Sequence, residues 1–159
     1  MSFQDQDKTK IKVLYVDDEE HNLTAFKATF RREYDVFTAI SADEGRAILA
    51  TENINIIITD QRMPHITGVE FLESIIEEYP EPIRILLTGY TDVSAVIDAI
   101  NKGQIYRYIT KPWDEQDLKV TINNAYEVFY LRKENKELMK SLLKANEQLE
   151  FMLRQKLLS

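Results

Sequence analysis

The sequence predicts an α/β protein built on a five-stranded parallel sheet, with a last helix that runs on past it. Three observations predict this. Five short apolar runs alternate with segments whose apolar residues recur at helical spacing, the pattern of a doubly wound sheet. The run Ile54-Asn55-Ile56-Ile57-Ile58-Thr59-Asp60 suits a strand buried on both faces, and it sheds its hydrophobicity abruptly at Asp60. From Asp114 to Leu158 there is neither Pro nor Gly to stop a helix.

Taken in order, residues 1–10 are polar and are expected to be frayed. Ile11 to Val16 reads as the first strand, and Asp17-Asp18-Glu19-Glu20 follows at once. Leu23, Phe26 and Phe30 then recur at helical spacing, so the acidic cluster opens a helix. Helix-dipole preference explains Glu19 and Glu20, but not two aspartates at the end of a strand. Tyr34 to Ala39 is a short second strand. Ser41 and Glu44 form a capping box for a helix that runs to about Ala50.

The third strand ends at Asp60, and Gly68 precedes a helix with Val69, Leu72, Ile75 and Ile76 inward, stopped by Tyr79-Pro80-Glu81-Pro82. Ile83 to Leu87 is the fourth strand, closed by Thr88-Gly89. Asp92 is expected to cap the next helix, whose inner stripe is Val93, Val96, Ile97 and Ile100, and Gly103 breaks it. Ile105 to Ile109 is the fifth strand, ended by Thr110-Lys111-Pro112. Its alternation puts Tyr106 and Tyr108 on one face and a charged Arg107 on the other, which marks an edge. Asp114 caps the last helix.

At 159 residues, 44% hydrophobic and 30% charged, the chain fits one ordinary domain with a little left over. No apolar run approaches the ~20 residues a membrane helix needs. Met1 to Asp7 lacks the basic and apolar regions of a signal peptide. The absence of Cys excludes a disulfide framework or thiolate metal site and fits a cytoplasmic address. A net charge of −7 argues against binding nucleic acid through bulk electrostatics. From Arg132 onward seven Lys or Arg face four Glu, so the tail is +3 and the preceding part −10.

Right-handed crossovers bring the strand C-termini to one rim, where open α/β sheets hold their ligands. That rim would carry Asp17, Asp18, Asp60, Thr88 and Lys111. Three crowded carboxylates repel unless a cation neutralises them, and hard oxygen ligands of this kind suit Mg²⁺. A lysine and a hydroxyl opposite would cradle a phosphoryl group, and a carboxylate can itself be the nucleophile that forms an acyl phosphate. The set reads as metal-assisted phosphoryl transfer onto one aspartate.

The order of Val16-Asp17-Asp18, Thr59-Asp60 with Met63-Pro64 and Gly68, Leu87-Thr88-Gly89 and Thr110-Lys111-Pro112 resembles the receiver domain of two-component response regulators. The resemblance covers roughly residues 9–128. It implies a flavodoxin-like sheet of order 2-1-3-4-5, with a receiver over residues 11–128 and a coiled-coil signalling helix over 129–159. Gly89-Tyr90-Thr91-Asp92 and the segment from Asn101-Lys102-Gly103 to Trp113-Asp114 resemble a subgroup often joined to cyclic-di-nucleotide phosphodiesterase or transcriptional output modules.

Residue by residue, the resemblance implies that Asp60 is the phosphoacceptor. Asp18, Asp60 and the backbone carbonyl of Arg62 would bind Mg²⁺, with Asp17 acting through water. Lys111 would pair with phosphoryl oxygens, Thr88 would be the switch hydroxyl, and Tyr108 the aromatic that turns inward behind it. Gly89 would leave the phosphoryl group accessible, and Lys111–Pro112 is commonly a cis peptide in such domains. The implied partner is a sensor histidine kinase or phosphotransfer protein. Turnover would be limited to the chain's own phosphorylation and dephosphorylation, so it would not be an enzyme in the usual sense.

Other residues were weighed against blander roles. His21 and His65 have no companions at metal-ligand spacing and are expected at the surface. Trp113 is expected to pack at the start of the last helix. No Gly-x-x-x-x-Gly-Lys loop is present, which removes a nucleotide triphosphatase. A haloacid-dehalogenase-like phosphatase would need a second Asp two residues after Asp60, where Arg62 stands.

Past the receiver, Leu131, Asn135, Leu138, Leu142, Ala145, Leu149 and Met152 alternate in steps of four and three, a heptad seam. Asn135 shares its heptad position with Leu142 and Leu149, where a buried Asn favours a parallel two-stranded pairing. Met139, Ser141, Asn146, Gln148 and Leu153 flank the seam, so inter-chain ion pairs should contribute little. A continuous helix from Asp114 to Leu158 would span ~68 Å. The expectation is a dimeric stalk leading to an output module missing from this chain. The competing reading is a stand-alone phosphoryl relay or adaptor, whose helix binds a partner. In either case Arg62 is expected to alter self-dephosphorylation; a lifetime unchanged in Arg62→Asn would count against that.

Overall fold

The computed structural model describes residues 10–158. The expected fraying of residues 1–9 lies outside these. Five strands form one parallel sheet: β1 (Lys12–Val16), β2 (Asp35–Ala39), β3 (Ile56–Asp60), β4 (Ile83–Thr88) and β5 (Arg107–Thr110), in the order β2-β1-β3-β4-β5. The helices are α1 (Glu20–Phe30), α2 (Ala42–Thr51), α3 (Gly68–Ser74), α4 (Val93–Asn101) and α5 (Glu115–Leu158). A 3-10 turn over Tyr90–Asp92 leads into α4.

The two faces of the sheet build two cores. Val13, Tyr15, Ile56, Ile58, Ile85 and Leu87 pack under α1 and α5; Leu14, Val16, Ile57 and Leu86 pack under α2, α3 and α4. Every residue of β3 and β4 is buried, so both strands can be apolar throughout. Five strands, order and edge position of β5 agree with the sequence.

Several local expectations need correction. The expected stripe of α3 omits Phe71, which is buried with Leu72 and with Ile75 just after the helix; Val69 packs half-buried against this core, and Ile76 is only half-buried. In α4 the buried pair is Val96 and Ala99, and Ile97 is 44% exposed. Tyr106 lies in a bend before β5, which shifts the alternation. Tyr106 therefore packs with the α1/α5 core and Tyr108 with the opposite one. Ser41 accepts the Glu44 amide at 3.2 Å, but the Glu44 carboxylate takes the amide of Ile40 rather than that of Ser41.

Other local readings hold. The Asp114 carboxylate accepts the Asp117 amide at 3.0 Å. Gly103, with φ 75°, ends α4 in the left-handed region. Trp113 packs against Phe26 and Phe30, at 6.2 and 5.7 Å between ring centroids.

Arg84 is a buried charge inside an otherwise mostly apolar strand. It donates to the carbonyls of Pro82 and Tyr79 and so staples the α3–β4 connection to the sheet. α5 rests on the sheet through Leu118, Thr121, Ile122 and Ala125, and every residue from Leu131 to Leu158 is exposed. At 44 residues it is about 66 Å long.

Gly68 is the tightest joint in the fold. A Cβ there would lie 2.4 Å from the Asp60 carbonyl oxygen and 2.8 Å from Leu86. Its amide also donates to the Gln61 carbonyl at 3.0 Å, so the backbone cannot retreat without cost. Gly68→Ala is expected to cost about 1–3 kcal/mol through overpacking, read as a lower urea midpoint. An unchanged midpoint would mean that this turn can relax.

Candidate functional site

The rim at the C-terminal ends of β1, β3, β4 and β5 gathers the predicted side chains. Asp17 and Asp18 follow β1, Asp60 is the last residue of β3, and Lys111 follows β5. Carboxylate oxygens of Asp17, Asp18 and Asp60 lie within 4.8 Å of one another. The donor set is oxygen only, which fits a hard divalent cation and does not favour a soft metal. The Lys111 ammonium sits 2.8 Å from Asp60 Oδ1 and 3.7 Å from Asp17 Oδ2. The Lys111–Pro112 peptide is cis, as the resemblance implied.

Each acid is held differently. Asp60 Oδ1 also accepts the Gln61 amide at 3.0 Å. Burial raises the Asp60 pKa above the ordinary carboxylate value; Lys111 opposes this, and the neighbouring Asp17 adds to it. Asp17 is fully buried. Its Oδ2 accepts from the Tyr15 hydroxyl at 2.6 Å and the Asn22 amide at 3.0 Å, and its Oδ1 accepts the Glu19 amide at 2.9 Å. Burial and the Asp17 hydrogen bond push the Tyr15 phenol far above its usual pKa, so it stays a donor.

Thr88 is buried beside this pocket, with its hydroxyl donating to the Gly89 carbonyl at 3.2 Å. The Lys111 amide donates to the Thr88 carbonyl at 2.9 Å, tying the ends of β4 and β5 together. Tyr108, half-buried, pairs in register with Leu86.

Arg62 and Asp92 differ from expectation together. Asp92 makes no side-chain cap to α4. Its carboxylate instead takes Arg62 Nε at 2.8 Å and Nη2 at 3.3 Å, and Nη2 also reaches Thr91 Oγ1 at 3.4 Å. The guanidinium thus bridges the loops after β3 and β4 over a depression of about 330 Å³ that Asp18, Gln61 and Met63 help to line.

The sequence reading missed Tyr15, Asn22 and Gln61. A usable signal existed for Tyr15, which stands two residues before Asp17 and so on the same side of an extended chain. Gln61 Oε1 accepts the Val69 amide at 3.0 Å and helps to fix the start of α3.

Residues 13–123 match the response regulator receiver domain. The chain belongs to this family. The hydrogenase transcriptional regulatory protein HoxA of Cupriavidus necator is 45% identical over 115 residues, covering 72% of this chain and 24% of HoxA. The chain spans about a quarter of the length of the first curated relatives it matches. Among solved structures, an adenylate cyclase from Rhodopirellula baltica superposes with a TM-score of 0.80 at 29% identity, over 82% of this chain and 98% of that one. The signal receiver domain of an HD domain-containing protein from Pseudomonas fluorescens Pf-5 gives 0.75 at 32% identity, over 81% and 96%. Among the described residues, no helix of this receiver is long and apolar enough to cross a membrane.

The raised Asp60 pKa has a consequence for stability. The folded protein holds this proton to higher pH than the unfolded chain does, so stability falls as pH climbs from the ordinary carboxylate range through the raised value. With divalent cations chelated, Asp60→Asn is expected to raise the urea midpoint at pH 7. The gain should shrink at about pH 4, where the carboxyl is increasingly protonated in either state. Midpoints that coincide at pH 7 would count against the buried charge as a cost.

Proposed function

We propose that this receiver accepts a phosphoryl group on Asp60 from a phosphohistidine of a sensor kinase or phosphotransfer protein. The observation that carries this is the convergence of three carboxylates with a lysine held on one of them. Both hydrogen bonds to Asp60 fall on Oδ1, which makes Oδ2 the nucleophile. As its new P–O bond forms, the donor's P–N bond breaks and the electron pair leaves with the imidazole nitrogen. Lys111 then transfers its N–H contact from Asp60 to a phosphoryl oxygen.

Asp18, Asp60 and the Arg62 backbone carbonyl would hold Mg²⁺, with Asp17 engaged through water. Bound there, the ion supplies positive charge for the phosphoryl oxygens. Asp60, Lys111, Thr88 and Asp17 are the reacting set, and turnover is confined to the chain's own phosphorylation and dephosphorylation.

In this reading Thr88 leaves the Gly89 carbonyl for the phosphoryl group, and Tyr108 moves inward into the space this opens. The change passes to the face formed by α4, β5 and α5, and thence along α5. A parallel homodimer through Leu131, Asn135, Leu138, Leu142, Ala145, Leu149 and Met152 would carry it to an output module. Support comes from the exposure of Leu138 (63%), Leu142 (56%) and Leu149 (56%) on a helix with no covering element among the described residues. The names of relatives, a transcriptional regulator, a cyclase and an HD-domain protein, indicate the kinds of output such receivers serve.

Beryllofluoride with Mg²⁺ is expected to change the Trp113 fluorescence of the wild type and leave Asp60→Asn unaffected. Equal responses would remove Asp60 from the mechanism. Light scattering on the same samples should give a dimer at micromolar concentration. Monomer with and without beryllofluoride would defeat the stalk.

A further inference from the structure

Lys111 has a choice of two buried anions. Its ammonium lies between Asp60, at 2.8 Å, and Asp17, at 3.7 Å, and the second distance is too long for a hydrogen bond. Both partners are carboxylates on the same rim, so charge alone does not decide between them. Hydrogen-bond capacity does. A carboxylate oxygen has two lone-pair directions, and those of Asp17 Oδ2 are filled by Tyr15 Oη at 2.6 Å and Asn22 Nδ2 at 3.0 Å. A third donor finds only poor geometry there. Asp60 Oδ1 carries one other donor, the Gln61 amide, and has room for the lysine.

We propose that Tyr15 is a positioning residue for phosphoryl transfer: by saturating Asp17 Oδ2 from inside the core, its hydroxyl directs Lys111 to Asp60. The ring is locked for this task. Tyr15 is 1% exposed within β1, and its ring packs against Phe26 at a tilt of 37°, with centroids 4.6 Å apart. Its hydroxyl therefore cannot swing away from Asp17 without opening the α1/β1 core. Asn22, half-buried in the first turn of α1, does the same work from the other side. The division of roles between two adjacent acids follows from this: Asp17 is fixed, with the oxygen that faces the lysine already filled, and Asp60 is the one left to the lysine.

This rests on the reading of Asp60 as phosphoacceptor, and the test separates the two. Tyr15→Phe keeps the ring and its packing and removes only the donor. With Oδ2 half vacated, Lys111 is expected to close on Asp17 and move away from Asp60. A crystal structure of the full-chain Tyr15→Phe variant should show the Lys111–Asp60 contact lengthened past hydrogen-bonding distance. Its rate of phosphorylation by acetyl phosphate at saturating Mg²⁺ should fall by at least about tenfold, since misplacing a reacting group by about an ångström can cost about a hundredfold. Asn22→Ala, a change outside the core that strips the same oxygen, should act in the same direction and carries the test if Tyr15→Phe fails to fold.

The proposal is overturned if the Lys111–Asp60 contact persists in the variant, whatever the rate does. A rate within twofold of wild type overturns it equally. Wild-type protein that acetyl phosphate does not modify, or that is modified as readily as Asp60→Asn, would instead sink the phosphoacceptor assignment, while the crystallographic arm still decides on Tyr15.

Discussion

The structure depends on keeping two buried carboxylates side by side. Asp17 and Asp60 sit at the ends of neighbouring strands β1 and β3, almost out of water, where like charges cost most. One ammonium, that of Lys111, is the cation nearest both. Everything around the rim serves that arrangement. The Lys111 amide is tied to Thr88, Gln61 ties Asp60 to α3, and Gly68 lets α3 approach the Asp60 carbonyl closely enough to close the turn. A site so short of positive charge is one that a divalent cation and a phosphoryl group can enter and rebalance together.

The same crowding explains why the rim is spread over separate strands. Parallel strands with right-handed crossovers put their C-terminal ends on one side of the sheet, and side chains there point into the space the crossovers leave open. One strand end supplies one or two groups, so a cluster of three acids and a lysine needs several strands in register. Pairing of Val16 with Thr59 and of Thr88 with Thr110 brings those ends level. The chemistry is thus a by-product of register, and a register slip of one residue would turn each group to the other face.

What could be read from the sequence follows from how local each feature is. The strand ends were legible because an apolar run that stops at Asp60 or Thr88 is an event in the sequence itself. The order of the sheet was legible only through family resemblance, since nothing local specifies which strands are neighbours. The face of α4 was misread because an apolar residue such as Ile97 looks the same whether it faces the core or the solvent, and on α3 the buried Phe71 was left out. Tyr106 and Tyr108 were assigned to one face because a bend between α4 and β5 leaves no mark on a period of two. Arg62 and Asp92 lie 30 positions apart, and only the closeness of two loops makes them partners. Tyr15 was legible by its spacing from Asp17, but an aromatic in a strand reads first as core, and here it is both.

In the proposed relay, the last helix would turn this small chemistry into a long-range displacement. α5 has no Gly or Pro, so it has no hinge. Its first turns are packed on the sheet through Leu118, Ile122 and Ala125, and they begin directly after Trp113, which packs against α1 two residues from Lys111. Beyond Tyr130 the helix is exposed throughout, and its ion pairs to the body of the protein, such as Lys136 with Glu81 at 3.9 Å, are worth little. A rigid rod clamped at one end amplifies tilt: about 42 Å of free helix turns a tilt of about 5° into about 4 Å at its tip. At Leu149 and Met152 the same tilt gives about 2.5–3 Å, about half the pitch of a helix, enough to change how closely two such stalks would pack. A short, flexible connection would dissipate the same tilt within a few residues. The absence of breakers in α5 would therefore matter to the proposed relay as much as the acids at its other end.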